Sequence, residues 1–113
     1  MKIDSYSFGK IVIDGKDYTS DLIACNGEVD AAWWRKAGHE LGVDDLNDIL
    51  VFQPKTVIVG TGHDGFMKVL PEAEDFCRRK GIQLLVKKTQ IACDVYNSIA
   101  DQSQVVFAAH LTC

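Results

Sequence analysis

The chain has 113 residues and a formal net charge of −4, and 47% of its residues are hydrophobic. This length and composition fit one globular domain, residues 1–113, with a core of its own, and they exclude two domains. The acidic balance argues against a nucleic-acid partner, and no apolar stretch reaches the ~18 residues that cross a bilayer.

The first third of the sequence predicts β-structure. Two candidate strands, 8–13 and 16–18, flank the Asp-Gly dipeptide at 14–15, which favours a two-residue hairpin turn. A further strand at 22–25 is followed by the Asn-Gly dipeptide at 26–27, a second turn signal, and by another strand from Glu28 onward. The pattern therefore predicts an N-terminal β-meander.

The adjacent tryptophans follow this region. In an extended segment Trp33 and Trp34 point to opposite faces, so one ring can fill the core while the other covers a neighbouring layer or a subunit contact. An exposed tryptophan beside Arg35 would serve as an anchor for a protein partner or a second copy of the chain. Trp33 and Trp34 are therefore the candidate partner-binding residues.

The remainder of the sequence alternates between strand and helix signals. The predicted strands are 56–59, 82–86 and 105–109. Of the three predicted helices, one is capped by Asp44, one begins at Pro71 and stops at Gly81, and one is capped by Thr89. Strand, helix and strand in repeated succession are typical of βαβ units. We therefore predict an α/β domain in which the meander is joined to a small layered structure.

The loop after the strand at 56–59 carries the letters G-x-G-x-x-G, the pattern of dinucleotide-binding sites. In such sites the glycines lead directly into a helix whose N-terminus meets the pyrophosphate. Here residues 66–70 separate Gly65 from the helix at Pro71, and lysines at 87–88 stand where an acidic residue would hold the ribose. The chain is also too short for a second nucleotide-binding half, so no cofactor is expected.

Two interpretations of this glycine loop remain open. The glycines can serve tight turns and close packing, or the loop can form a nest of backbone N–H groups for a small anion or polar ligand. Ligands usually bind at the carboxyl ends of strands in open α/β sheets, which supports the second interpretation. The candidate ligand-binding residues are the loop residues Gly60, Thr61, Gly62, His63, Asp64 and Gly65, together with Arg35, His39, Thr89 and His110.

Several motifs in this order resemble the Mth-type domain of unknown function. They are the G-T-G-x-x-G loop after a buried strand, the helix containing Thr89, Ala92 and Tyr96-Asn97, the final residues 110–113, Tyr18, Asp21 and the segment 34–39. The resemblance covers nearly the whole chain. It implies a three-layer α/β fold with a mixed central sheet and an additional small β-layer. It supplies no catalytic residues and no cofactor.

The same family includes a mitochondrial complex I assembly factor and an adipogenesis-associated protein, which favours a binding or assembly role. The present sequence has neither a transit segment rich in Arg and Ser nor the apolar core of a signal peptide, so we expect a cytosolic protein. We predict a binding or assembly-type domain without established catalysis.

The alternative is a small enzyme that acts on a polar or anionic substrate at the glycine loop. The three histidines can meet there in space, and their polar neighbours would supply acid–base chemistry. The candidate residues are His39, His63, His110, Arg35, Asp64 and Thr89. The four cysteines form no closely spaced pair, so we expect reduced thiols and no metal site.

Overall fold

The N-terminal residues form a three-stranded antiparallel sheet. In the computed structural model, which describes residues 1–113, β1 (Ile3–Ser7), β2 (Lys10–Ile13) and β3 (Lys16–Tyr18) pair in sequence order. Asp14 and Gly15 both have positive φ, as the predicted hairpin turn requires. The predicted strand 8–13 was wrong at its start, because residues 8–9 turn the chain back and β1 precedes them.

The second hairpin belongs to a different sheet from the meander. The hairpin of β4 (Leu22–Cys25) and β5 (Glu28–Asp30) was predicted, but its assignment to the meander was wrong. Every residue of β4 is buried, and β4 pairs antiparallel with β10 (Val105–His110). A continuously apolar strand suits an interior position with both faces covered, which explains this placement.

The central sheet has five strands in the order β5, β4, β10, β7 (Thr56–Thr61) and β9 (Gln83–Lys87). The three C-terminal strands are parallel, and the hairpin of β4 and β5 makes the sheet mixed. The helices α2 (Pro71–Arg79) and α3 (Thr89–Asn97) connect the parallel strands, as the βαβ pattern predicted. The α/β fold with a mixed central sheet is therefore confirmed.

The two faces of the central sheet carry separate cores. One face packs against α3 and the meander, with Ile11, Tyr96 and Phe107 among its fully buried residues. The other face packs against α2 and the preceding loops through residues that include Val59 and Ala73. Each large cluster fixes one layer on the sheet, so the domain has three layers.

Short elements complete the layer on the α2 side of the central sheet, which is the second layer. They are β6 (Glu40–Leu41), a 3-10 turn (Val43–Leu46), α1 (Asn47–Leu50) and β8 (Lys68–Val69), which is parallel to β6. The helix predicted at Asp44 is present, but Asp45 rather than Asp44 accepts the Gly42 N–H, at 2.8 Å. No helix has the length and apolar character needed to span a membrane.

The prediction that Thr89 caps α3 was wrong. Helix α3 starts at Thr89 itself, after Lys88, and no side chain caps its N-terminus. The Thr89 hydroxyl is fully buried and bonds to the glycine loop and to β10 instead. Tertiary partners therefore outcompete the local capping bond at this residue.

Candidate functional site

Three polar side chains meet at one end of the central sheet. Thr61 and His110 are register partners at the carboxyl ends of β7 and β10. Because β4 runs antiparallel to β10 and Leu22 pairs with Ala109, Asp21 arrives at the same end of the sheet. Side chains alternate along a strand, so these residues lie on the face that packs against α2.

Asp21 is the acceptor at the centre of this cluster. Its Oδ2 lies 2.7 Å from His110 Nδ1 and 2.9 Å from Arg35 Nη2, and its Oδ1 accepts the Leu111 N–H at 2.8 Å. Burial by itself would raise the pKa of Asp21, but the hydrogen bonds from His110, Leu111 and Arg35 outweigh burial and hold this pKa below its ordinary value. Asp21 is therefore an ionised acceptor at neutral pH.

The protonation of His110 follows from that of Asp21. An ionised carboxylate only accepts hydrogen bonds, so His110 Nδ1 carries a hydrogen and donates it to Asp21. Arg35 Nη2 and His110 Nδ1 lie 3.2 Å apart, but both are donors, so this contact is not a hydrogen bond. The two groups share Asp21 Oδ2 as their acceptor. This arrangement leaves His110 Nε2 as the nitrogen that faces away from Asp21.

The same cluster holds every buried side-chain nitrogen or oxygen that lacks a hydrogen-bond partner in the chain. These atoms are Trp33 Nε1, Arg35 Nε, Arg35 Nη1 and His110 Nε2. The Arg35 side chain is only 3% exposed, and its guanidinium carbon lies 4.6 Å from the Trp33 ring centroid. A buried polar group without a partner costs roughly 1–3 kcal/mol, so four such atoms in three contacting residues single out this cluster as the candidate site.

An exposed histidine lies beside this buried cluster. The ring centroid of His39 is 5.6 Å from that of His110 and 6.4 Å from that of Phe66, and Phe66 is 57% exposed. The Arg35 Nη2 group also donates to the Gly38 carbonyl at 2.7 Å, which holds the loop before His39 against the cluster. His39 and Phe66 therefore mark the solvent side of the candidate site.

The first two glycines of the loop serve close packing. A Cβ on Gly60 would lie 2.8 Å from Thr89 Oγ1, and one on Gly62 would lie 2.4 Å from the carbonyl carbon of Cys113. The Gly62 N–H donates to Thr89 Oγ1 at 2.8 Å, and the Thr89 hydroxyl donates to the His110 carbonyl at 2.7 Å. The loop thus fixes the end of β10 from which the His110 side chain projects.

The later part of the loop faces a different region. The His63 N–H donates to the Thr112 carbonyl at 2.7 Å, and the Phe66 N–H donates to the Cys113 carbonyl at 3.0 Å. The His63 ring packs 6.2 Å from Tyr6 and 5.8 Å from Phe8, measured between centroids. Like the Gly62 N–H, these two N–H groups are thus hydrogen-bonded within the chain.

The structure brings together only some of the predicted site residues. Arg35, His39 and His110 are in contact, whereas His63 stacks on the meander. Asp64 and Gly65 lie further along the same loop, where Asp64 is exposed and a Cβ on Gly65 would lie 3.2 Å from the Lys88 side chain. The structure places no group of three or more His, Cys, Asp or Glu side chains together in a way that could hold a metal ion.

The two tryptophans differ in exposure. Trp33 is 5% exposed and packs in the core of the second layer, whereas Trp34 is 72% exposed. Neither residue lies in a regular strand, but one ring is buried and the other is exposed, as the sequence predicted. A role of Trp34 in binding a partner stays a prediction.

Asp21 was missing from the predicted site. It precedes a wholly apolar strand, and a lone carboxylate at such a position is the only local signal. Its importance depends on the pairing of β4 with β10, which joins residues 83 to 87 positions apart.

Comparison with known proteins places this fold in a group without assigned activity. A family model described as "Protein of unknown function (DUF498/DUF598)" matches residues 3–111. A conserved hypothetical protein from Pyrococcus horikoshii OT3 is 25% identical, with all of both chains covered and a TM-score of 0.85. A Mth938-like domain from Bordetella pertussis is 18% identical, covers 97% of this chain and 85% of its own, and has a TM-score of 0.76. A Rhodopseudomonas palustris protein is 24% identical, with 96% and 82% covered and a TM-score of 0.74.

Proposed function

Because this chain belongs to the family of unknown function DUF498/DUF598, as its resemblance to the Mth-type domain predicted, we propose a function from its own residues. The domain is a cytosolic binding protein that takes a small oxyanion, such as a carboxylate or phosphate group, at Arg35 and His110. The observation that carries this proposal is the set of buried nitrogens in Trp33, Arg35 and His110 that have no partner within the chain.

Arg35 supplies the main donors for the oxyanion. Asp21 and the Gly38 carbonyl hold its Nη2 group, which fixes the guanidinium in place. Its Nε and Nη1 groups remain without partners. A guanidinium is a rigid donor that matches the oxygens of a carboxylate or phosphate group.

His110 supplies the second polar group for the proposed oxyanion. Its Nδ1–H is committed to Asp21, so Nε2 donates a hydrogen bond only after it takes up a second proton. An oxyanion then gains a charged donor beside Arg35.

The experiment is a thermal-shift titration with sodium acetate and with sodium phosphate at constant ionic strength. A ligand that binds only the folded state raises Tm by mass action. We expect both anions to raise the Tm of the natural protein and of Arg79→Lys, an exposed control, but not that of Arg35→Lys. A Tm that does not respond to either anion, or an equal response in Arg35→Lys, would contradict the proposal.

The pairing of Asp21 with His110 favours a second candidate function, a small enzyme with His110 as general base. A carboxylate on Nδ1 orients the ring and leaves Nε2 to accept a proton from a polar substrate, while Arg35 stabilises developing negative charge. Catalytic activity that disappears in His110→Gln would favour the enzyme, whereas anion binding without any activity would favour the binding protein.

A further inference from the structure

Strand β9 forms one edge of the central sheet, on the opposite side from the hairpin of β4 and β5. Its only strand neighbour is β7, and the pairing runs from Thr56 with Gln83 to Gly60 with Lys87. Open edges are templates for a further strand, so what surrounds β9 decides which segment it can accept.

The backbone groups on the open edge can be assigned from the bonds on the paired side. The Gln83 N–H donates to the Lys55 carbonyl at 2.9 Å, and the Lys87 carbonyl accepts the Thr61 hydroxyl at 3.1 Å. Because backbone groups alternate along a strand, those of Leu84 and Val86 point away from β7. These two residues therefore present free N–H and C=O groups to an added strand.

An open groove runs along the same edge. It has a volume of about 570 Å³ and lies between α2 and β9, where it is lined by Glu74, Arg78, Gly81, Ile82, Leu84 and Val86 among others. The Leu84 side chain is half-buried against α2, and Val86 is exposed. Three of the seven lining residues are apolar, namely Ile82, Leu84 and Val86, and Glu74 is the one acidic residue among them. The edge thus combines unpaired backbone groups with apolar contacts, the two features used in recognition by strand addition.

The charge around β9 indicates what kind of segment fits. Residues 76–93 contain five basic and no acidic residues, in a chain whose net charge is −4. Arg78 and Arg79 pair with Asp75, whereas Lys80, Lys87 and Lys88 make no ion pair within the chain. Basic side chains therefore flank both ends of the open strand.

This charge disfavours a second copy of the chain as the occupant. An antiparallel pair of β9 strands would bring Lys87 and Lys88 toward the basic end of α2 in the other copy, and a parallel pair would place lysine opposite lysine. Like charges that face each other across strands are destabilising. An acidic segment meets complementary charge at both ends of the strand.

We propose that β9 receives an extended acidic segment of a partner protein as a sixth strand of the central sheet. Backbone bonds to Leu84 and Val86 hold the segment, alternate apolar side chains contact the groove, and acidic side chains face Lys87 and Lys88. This site is separate from the oxyanion site and does not depend on it.

The test uses a blocked seven-residue peptide of alternating glutamate and valine, followed by the backbone amide NMR signals of the full chain. We expect shifts at Leu84 and Val86, and a Kd raised by about tenfold or more in Lys87→Glu/Lys88→Glu because the facing charge is reversed. The matched control Lys2→Glu/Lys16→Glu changes the net charge equally on the meander and should bind as the natural protein does.

A second variant separates backbone pairing from charge. Val86→Pro removes an N–H that points away from β7, so it should weaken binding while the ladder with β7 is kept. The proposal is overturned if the amides of Leu84 and Val86 do not respond to the peptide, if an equivalent lysine–valine peptide binds equally, or if light scattering shows a dimer that Val86→Pro dissociates.

Discussion

Asp21 Oδ2 lies 2.7 Å from His110 Nδ1, although the two residues are 89 positions apart in the sequence. The pairing of β4 with β10 produces this contact, and Arg35 reaches the same oxygen from a loop of the second layer. One carboxylate therefore joins the sheet to its covering loops and fixes the two groups of the proposed oxyanion site.

Replacing Asp21 by asparagine should destabilise the fold. The change removes the charged acceptor from His110 and Arg35, and hydrogen bonds to charged groups contribute roughly 1.5–3 kcal/mol, so we expect a loss of about 2–3 kcal/mol. Urea unfolding measures the change. Asp17→Asn breaks the exposed ion pair with Lys10 and serves as the control, with an expected change of under about 1 kcal/mol. Equal losses in the two variants would contradict the account.

The stabilisation by Asp21 should be lost in acid. Its pKa is lower in the folded chain than its ordinary value of about 3.9, so the unfolded chain binds the proton more readily. The contribution is complete above that value and is lost as the pH falls through the lower pKa of the folded state. The difference in unfolding free energy between the natural protein and Asp21→Asn should therefore shrink below about pH 4. A difference that stays constant into stronger acid would refute this.

Gly62 should tolerate no side chain. It has a φ of +106°, and a Cβ there would lie 2.4 Å from the Cys113 carbonyl carbon, whereas Gly27 has a φ of +89° and open space around it. Both substitutions to alanine carry backbone strain of roughly 1–3 kcal/mol, but only Gly62→Ala adds the collision. Chemical denaturation should show a clearly lower free energy of unfolding for Gly62→Ala than for Gly27→Ala. Similar free energies would mean that the loop rearranges to accommodate the side chain, which would contradict this prediction.

The four cysteines should react at very different rates. Cys25, Cys77 and Cys93 are buried, and burial raises the pKa of the Cys93 thiol to about 12, whereas Cys113 is partly exposed. The thiolate is the reactive form, so a thiol reagent should label Cys113 first and the other three only after unfolding. Mass spectrometry of the labelled native protein identifies the modified cysteines. Modification of Cys93 as early as that of Cys113 would contradict the prediction.

Much of the fold could be predicted from local patterns. The hairpin turns at Asp14 and Asn26, the helix start at Pro71 and the helix stop at Gly81 were recognised because each depends on a few adjacent residues. The sheet to which β4 belongs could not be predicted in this way, because strand pairing depends on contacts between residues that are far apart in the sequence.

The candidate site was predicted only in part, for the same reason. Arg35, His39 and His110 were recognised by residue type, but nothing local separates them from His63, which stacks on the meander. Asp21 carries no spacing signal toward any of them. Thr89 resembles a helix cap in sequence, yet its hydroxyl bonds to the His110 carbonyl through tertiary packing.

The central claim is that Arg35 offers its free donors to an oxyanion, and the Arg side-chain NMR signals test it most directly. The chain has three arginines, so Arg78 and Arg79, both exposed and paired with Asp75, are internal controls in the same spectrum. On titration with acetate, the account predicts a saturable shift of the Arg35 Nε–H signal while the signals of Arg78 and Arg79 stay in place. An Arg35 signal that does not move, or that moves only in step with the two exposed arginines, would contradict it.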